Sequence, residues 1–435
     1  MRDTGPASAD TVLRLGDIVA NLDCENAWAG RVPGDISPRA AARIGALATL
    51  LRVFARSPLD CLWTPSPVDP VRMAPVPGVP RPRLASGPIE LPETRRPVLA
   101  WGETPAVASL RGARSDVSVV GTGRGDAVWS WPSPSPEVAA LVNHRAWALD
   151  VARRLGVDLP GARMISGLGE LAAHLADAGA AASPEGMWVV KSPWSAAGRD
   201  RLIGRGPDVA DEELRRGVER LFRRHGPLLF EPWMHREADF GVCASAGGAD
   251  GASAALLHRQ LVDGRGRFLG IELTAGSSVN GATPPGMTAD ERDRTIAAAV
   301  EVGRSLASEG YRGPFGVDAW RYRDRDGRIA FQPIGEINAR LTFGWVARAW
   351  ADRIAALRGW DDERTRVVRL RLGRGWPPDA VENGVVLPLL WPGETDPSAA
   401  WLEIIDGIER SPHLHPGIGS IPPMLPPLPS LGEGG

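Results

Sequence analysis

The sequence predicts a multidomain protein that mixes the α/β and α+β classes. Three observations predict it. The chain has 435 residues, room for roughly three domains or fewer. Between residues 136 and 350, short apolar runs of strand length alternate with segments of helical periodicity, separated by Gly, Pro and Asp turn signals. The flanks, 1–135 and 351–435, are richer in proline and weaker in periodicity, which marks an N-terminal domain, a central domain and a C-terminal extension with a Pro/Gly-rich tail.

Composition narrows the function classes. Hydrophobic residues make up 43% and charged residues 23% of the chain, the balance of a globular protein with a sizeable core. The formal net charge of −2 gives no bulk attraction for nucleic acid despite the many arginines. No apolar run approaches the roughly 18 residues that cross a bilayer, and the first residues lack the apolar core of a signal peptide. Cys24, Cys61 and Cys243 are far apart with no Cys-x-x-Cys, so they read as buried thiols in a reducing, cytoplasmic compartment.

Taken in order, residues 40–56 carry apolar side chains at helical spacing, and 65–97 carry prolines too often for a helix. Residues 117–120 read as a strand. The glycines at 121, 123 and 125 that follow are loosely those of a dinucleotide loop, but Val128-Trp129-Ser130-Trp131-Pro132 comes next instead of a helix, so a turn is the reading. Helical spacing runs over 135–155 and stops at Gly156; a short strand is expected at 162–165 and a helix at 169–178. After a strand at 188–190 come a charged helix at 210–224 and a strand at 228–234 interrupted by Pro232. Glu237 and Asp239 precede a strand at 240–244. The runs 256–262 and 267–273 flank Asp263-Gly264-Arg265-Gly266, a hairpin signal. A long helix at 290–308 is followed by strands at 315–322 and 328–340 around a second Asp/Gly turn. Beyond Trp360 only 384–391 reads as a clear strand, with a short helix near 399–405; His413 and His415 read as solvated tail residues.

Two places carry chemistry. Lys191 is the only lysine among 50 Lys+Arg. A lysine is a compact point charge where arginine is a wide planar fork, so the two are not interchangeable against a phosphate. Lys191 ends an apolar strand and opens a loop of small residues, Ser195-Ala196-Ala197-Gly198, the combination of cation and exposed backbone N–H groups that cradles phosphate. Second, Glu336, Asn338 and Arg340 alternate along one strand and so share a face, with Asp318 on the strand before. Two carboxylates and an amide oxygen are hard ligands suited to Mg²⁺, and an adjacent arginine suits a transferring phosphoryl group. Apolar Ile334, Ile337, Leu341 and Phe343 around them argue against a solvated charged face.

In chain order, Arg145 on a helix, Lys191, the small-residue loop, Glu231 before Pro232, the acids at 237 and 239, Asp318, and Glu336-x-Asn338-x-Arg340 resemble the ATP-grasp superfamily over residues 137–349. The resemblance implies ATP held between two α+β lobes behind an N-terminal domain that precedes the grasp or binds substrate. It implies that Lys191 contacts the phosphates and the adenine edge, that Ser195, Ala196 and Gly198 fold over the triphosphate, and that Glu231, Trp233 and Met234 form the adenine hinge. Glu237 or Asp239 would hold the ribose, and Asp318, Glu336 and Asn338 would ligate Mg²⁺. Arg340 and Lys191 would act on the reacting phosphate. The chain departs from the pattern in offering Arg145 where a lysine is usual, and in a loop poorer in glycine. The implied activity is an ATP-dependent ligase that activates the carboxylate of a small molecule or peptide as an acylphosphate for an amine or thiol. A kinase on the same fold and a non-catalytic nucleotide-binding regulator are the alternatives. No nucleic-acid or membrane partner is implied, and a homodimer is compatible with the resemblance.

Overall fold

The computed structural model describes residues 17–31, 36–87, 98–112, 117–121, 128–177, 183, 185–194, 200–209, 211–247, 252–264, 266–275, 282–360 and 365–408. The expected loop residues Ser195, Ala196 and Gly198, the glycine-rich turn at 122–127 and the tail from 409 lie outside them.

The N-terminal region builds a parallel sheet from β1 (Asp17–Val19), β2 (Cys61–Trp63), β3 (Arg83–Ala85) and β4 (Val98–Ala100), in the order β3-β2-β1-β4. Three helices flank it: α1 (Cys24–Trp28), α2 (Pro38–Ala48) and α3 (Pro105–Gly112). Pro38 and the Ser37 hydroxyl, which accepts from the Ala40 N–H at 3.3 Å, start α2; the expected long helix over 40–56 finishes as a separate 3₁₀ turn, Thr49–Phe54. β5 (Val117–Gly121) and β6 (Val128–Pro132) follow as an antiparallel pair.

The helical stretch after Ser135 is two helices, α4 (Pro136–Val142) and α5 (Arg145–Arg154), not one. The break has a cause. The Asn143 amide donates to the Ala339 carbonyl at 3.1 Å and accepts from the Ala339 N–H at 3.0 Å, while His144 Nδ1 caps α5 by accepting from Ala146 N–H at 3.1 Å. The chain thereby turns Arg145 toward the large sheet.

A small lobe comprises β7 (Arg163–Ile165), α6 (Leu168–Asp177), β8 (Met187–Lys191), β9 (Arg201–Arg205), α7 (Glu212–His225) and β10 (Leu228–Pro232), with sheet order β7-β10-β8-β9. Strand β9 was not expected from sequence. Trp188, Val190, Phe230, Leu171 and Val218 fill its core.

The large sheet has eight strands: β11 (His235–Ala246), β12 (Ala252–Val262), β13 (Phe268–Ala275), β14 (Gly313–Arg323), β15 (Ile329–Asn338), β16 (Thr365–Arg374), β17 (Gly384–Leu390) and β18 (Ser398–Ile408), in the order β15-β14-β11-β12-β13-β16-β18-β17. Helix α8 (Ala289–Ser308), opened by a Thr288/Glu291 capping box, packs Val302 and Leu306 against Phe240, Val317 and Ile337 on one face. Helix α9 (Phe343–Leu357) lies against β13 and β16 and joins them to the N-terminal helices through Trp345, Trp350, Leu50 and Leu51. The sheet passes residue 350 without a break. The helix expected near 399–405 is the middle of β18, because Ala400, Leu402 and Ile404 alternate into the core with period two.

Candidate active site

The site lies where the small lobe faces β14 and β15. Asp318 and Glu336 are directly opposed partners on those two strands, and Asn338 lies opposite Gly316, so the three expected oxygen ligands do share one face. Arg145, from the start of α5, reaches Glu336 Oε1 at 2.8 Å and also donates to the Ser192 carbonyl that follows Lys191. Lys191, at the end of β8, is paired with Glu231 of β10. Asn143, Arg145, Lys191, Glu231, Trp320 and Glu336 line one crevice between the lobes.

Charge is divided unevenly in it. Burial opposes ionisation of Glu336, but Arg145, Lys191, Arg340 and Arg236 hold its carboxyl below the ordinary range. Burial, and then the Glu336 charge beside it, push Asp318 up to about 7. Two carboxylates pressed together, one of them driven toward protonation, are in the condition that a shared cation relieves. The residues therefore fit a hard divalent ion, with Asn338 as the neutral oxygen. No group of three or more His, Cys, Asp or Glu side chains gathers at one point among the described residues.

Arg340 is more enclosed than expected. Its guanidinium donates to Asn338 Oδ1 at 3.0 Å, pairs with Glu25 Oε1 of α1 at 2.9 Å and stacks over Trp101 at 5.5 Å. Burial works against its charge, but Glu25 and the neighbouring acids keep it firmly protonated.

The segment expected to form a hinge is partly committed to other contacts. The Trp233 N–H donates to the Met187 carbonyl at 2.9 Å and its carbonyl accepts from the Ser183 hydroxyl at 2.8 Å. Pro232 has no N–H, and the Met234 backbone is uncommitted among the described residues; its side chain is buried with Leu149, Leu229 and Trp320. Of the two acids, Asp239 joins the site and Glu237 does not. Asp239 lies opposite Trp320 and Gln260, whereas a register shift between Arg236 and Ala238 leaves Glu237 out of the ladder and paired with Arg323 at 2.6 Å.

Sequence reasoning missed four further residues. Arg236 pairs with Asp239 at 2.8 Å and covers the Trp320 ring at 3.7 Å. Arg201, opposite Lys191 on β9, stacks over Trp233 at 5.3 Å. Gln260 of β12 donates to Asp318 Oδ1 at 2.6 Å, and Glu25 holds Arg340. Each depends on a pairing between segments far apart in the chain, which no local pattern announces.

No protein-family model and no curated protein matches the chain. Solved structures do. N5-carboxyaminoimidazole synthetase from Staphylococcus aureus, complexed with ADP, is 10% identical and superposes over 91% of this chain and 95% of its own at TM-score 0.53. N5-carboxyaminoimidazole ribonucleotide synthetase from Thermus thermophilus is 15% identical over 90% of this chain and 94% of its own, at TM-score 0.51. The biotin carboxylase domain of Hydrogenobacter thermophilus 2-oxoglutarate carboxylase, with MgADP and bicarbonate, is 16% identical over 63% of this chain; this chain spans 64% of that one, and at TM-score 0.43 the likeness adds nothing to the assignment. The small antiparallel lobe facing a large sheet, placed behind a parallel N-terminal sheet and shared almost end to end with the two synthetases, is the ATP-grasp fold.

Proposed function

We propose that the protein is an ATP-dependent ligase that activates a substrate carboxylate as an acylphosphate for attack by an amine or thiol. The observation that carries the reading is the crevice in which the sole lysine and Arg145 approach the Asp318–Glu336 pair, with Arg340 beside Asn338. The fold shared with a synthetase solved with ADP supports a nucleotide between the lobes.

In this reading Lys191, Arg145 and Arg201 face the triphosphate, and the uncommitted Met234 backbone faces the adenine. Asp239 is the acid placed for ribose hydroxyls. Asp318, Glu336 and Asn338 would hold Mg²⁺, which when bound would neutralise charge between carboxylates and phosphates. The γ-phosphoryl group passes from ATP to a carboxylate oxygen and ADP leaves. The nucleophile then forms its bond to the acyl carbon, loses its proton, and inorganic phosphate departs. The residues contribute position and fixed charge.

The test is ADP formation with candidate carboxylates and nucleophiles added singly and together. Dependence on both is expected for a ligase; ADP formed with one hydroxyl acceptor and no nucleophile would replace this reading by a kinase. Glu336→Gln and Asp318→Asn should each lower turnover on the order of 10²-fold, the scale of losing one preorganised electrostatic contact. Wild-type turnover in both would remove the basis for the site.

A further inference from the structure

We infer that Gln260 is a positioning residue for Asp318: its side-chain amide fixes one carboxylate oxygen so that the other is presented, with Glu336, to a divalent cation. The inference rests on the metal reading given above.

Gln260 and Asp318 are not on neighbouring strands. The local order is β14-β11-β12, so the Gln260 side chain must cross β11 to place Nε2 at 2.6 Å from Asp318 Oδ1. The crossing is at Gly241, the ladder partner of Asp318 on one side and of His258 on the other. A Cβ on Gly241 would stand 2.5 Å from His258 Nε2, 2.8 Å from His258 Cε1 and 3.3 Å from Gln260 Nε2 itself. Bare backbone at 241 therefore leaves room for the His258 ring and, beside it, for the amide.

The chemistry of the donor matters as much as its reach. Glu336 has a guanidinium at 2.8 Å, whereas Gln260 supplies the one side-chain hydrogen bond that Asp318 accepts from a described residue. An amide satisfies one oxygen without cancelling the negative charge. A lysine in its place would form an ion pair and compete with the metal; a glutamate would add repulsion. A ligand carboxylate with one oxygen tied down has lost most of its rotational freedom before the ion arrives.

The experiment uses the full chain with Mn²⁺ replacing Mg²⁺, bound in the presence of ADP and followed by electron paramagnetic resonance, with thermal melting alongside. Gln260→Met keeps the shape and removes the donor; Mn²⁺ binding should weaken about tenfold or more, the usual cost of losing a group that orients a ligand. Gln260→Lys restores a donor to Asp318, so it should melt at or above the wild type yet bind Mn²⁺ more weakly still, an outcome a purely structural role would not give. If Gln260→Met does not fold, Gln260→Lys decides. Wild-type Mn²⁺ binding in the folded Gln260 variants, with Asp318→Asn impaired, would overturn the role of Gln260 alone. Equal binding by the wild type and Asp318→Asn would overturn the metal reading and this inference together.

Discussion

His258 is buried against Gly241 and Gly344, and burial holds its imidazole down to about 4 from the ordinary 6.5. The folded state keeps the ring neutral while the unfolded chain takes up a proton below about pH 6.5. Its contribution to stability is therefore complete above that value and is lost as the pH falls through about 4. Thermal melting across this window should show the wild type losing stability faster than His258→Gln; parallel curves would mean that the ring is not the sensor. The same scale decides what could be read in advance. Glu336, Asn338 and Arg340 were legible because alternation in one strand puts them on one face, and Lys191 because it is the single lysine. Gln260 and Glu25 were not legible: their partners lie 58 and 315 positions away in ladders and interfaces that sequence spacing does not specify.

Elements with strong local signals were found and those set by tertiary pairing were not. The hairpin of β12 and β13 and the capped helix α8 carry their instructions in turn and cap residues. Strand β18 was misread because Ser398-Ala399-Ala400 favours either state, and its pairing with β16 and β17 settles the matter. The junction of β14 and β15 supports a further expectation. The Trp320 ring lies so close over Gly335 that a Cβ there would sit 1.6 Å from ring carbon Cζ3. Gly335→Ala should displace the indole from beneath Arg236, costing about 1–3 kcal/mol of stability by overpacking and weakening ADP binding. Unchanged melting and unchanged calorimetric affinity would show that the ring has room to move.

At the scale of the whole molecule, the N-terminal sheet and helices are tied to the rest by buried polar contacts as well as by apolar packing. Arg340 and Glu25 are 9% and 7% exposed and pair between the end of β15 and α1; Arg31 reaches Asp200 of the small lobe at 3.2 Å. Removing one partner of a buried pair leaves the other charge uncompensated, so Glu25→Ala should cost about 3–5 kcal/mol and lower the melting temperature accordingly. Glu25→Ala melting with the wild type would show that the pair does not hold these parts together. The Arg52 guanidinium extends the same theme, donating to the Leu389 carbonyl 337 positions later at 3.0 Å, within a core that also joins Leu50 and Leu51 to Val368 and Leu402. That long closure bears on how the chain is made. A ribosome adding about 5–20 residues per second needs on the order of tens of seconds to travel from Arg52 to Leu389. During that interval the nascent N-terminal helices have no β16–β18 to cover them, so their apolar face stays open until synthesis has delivered the strands that complete it.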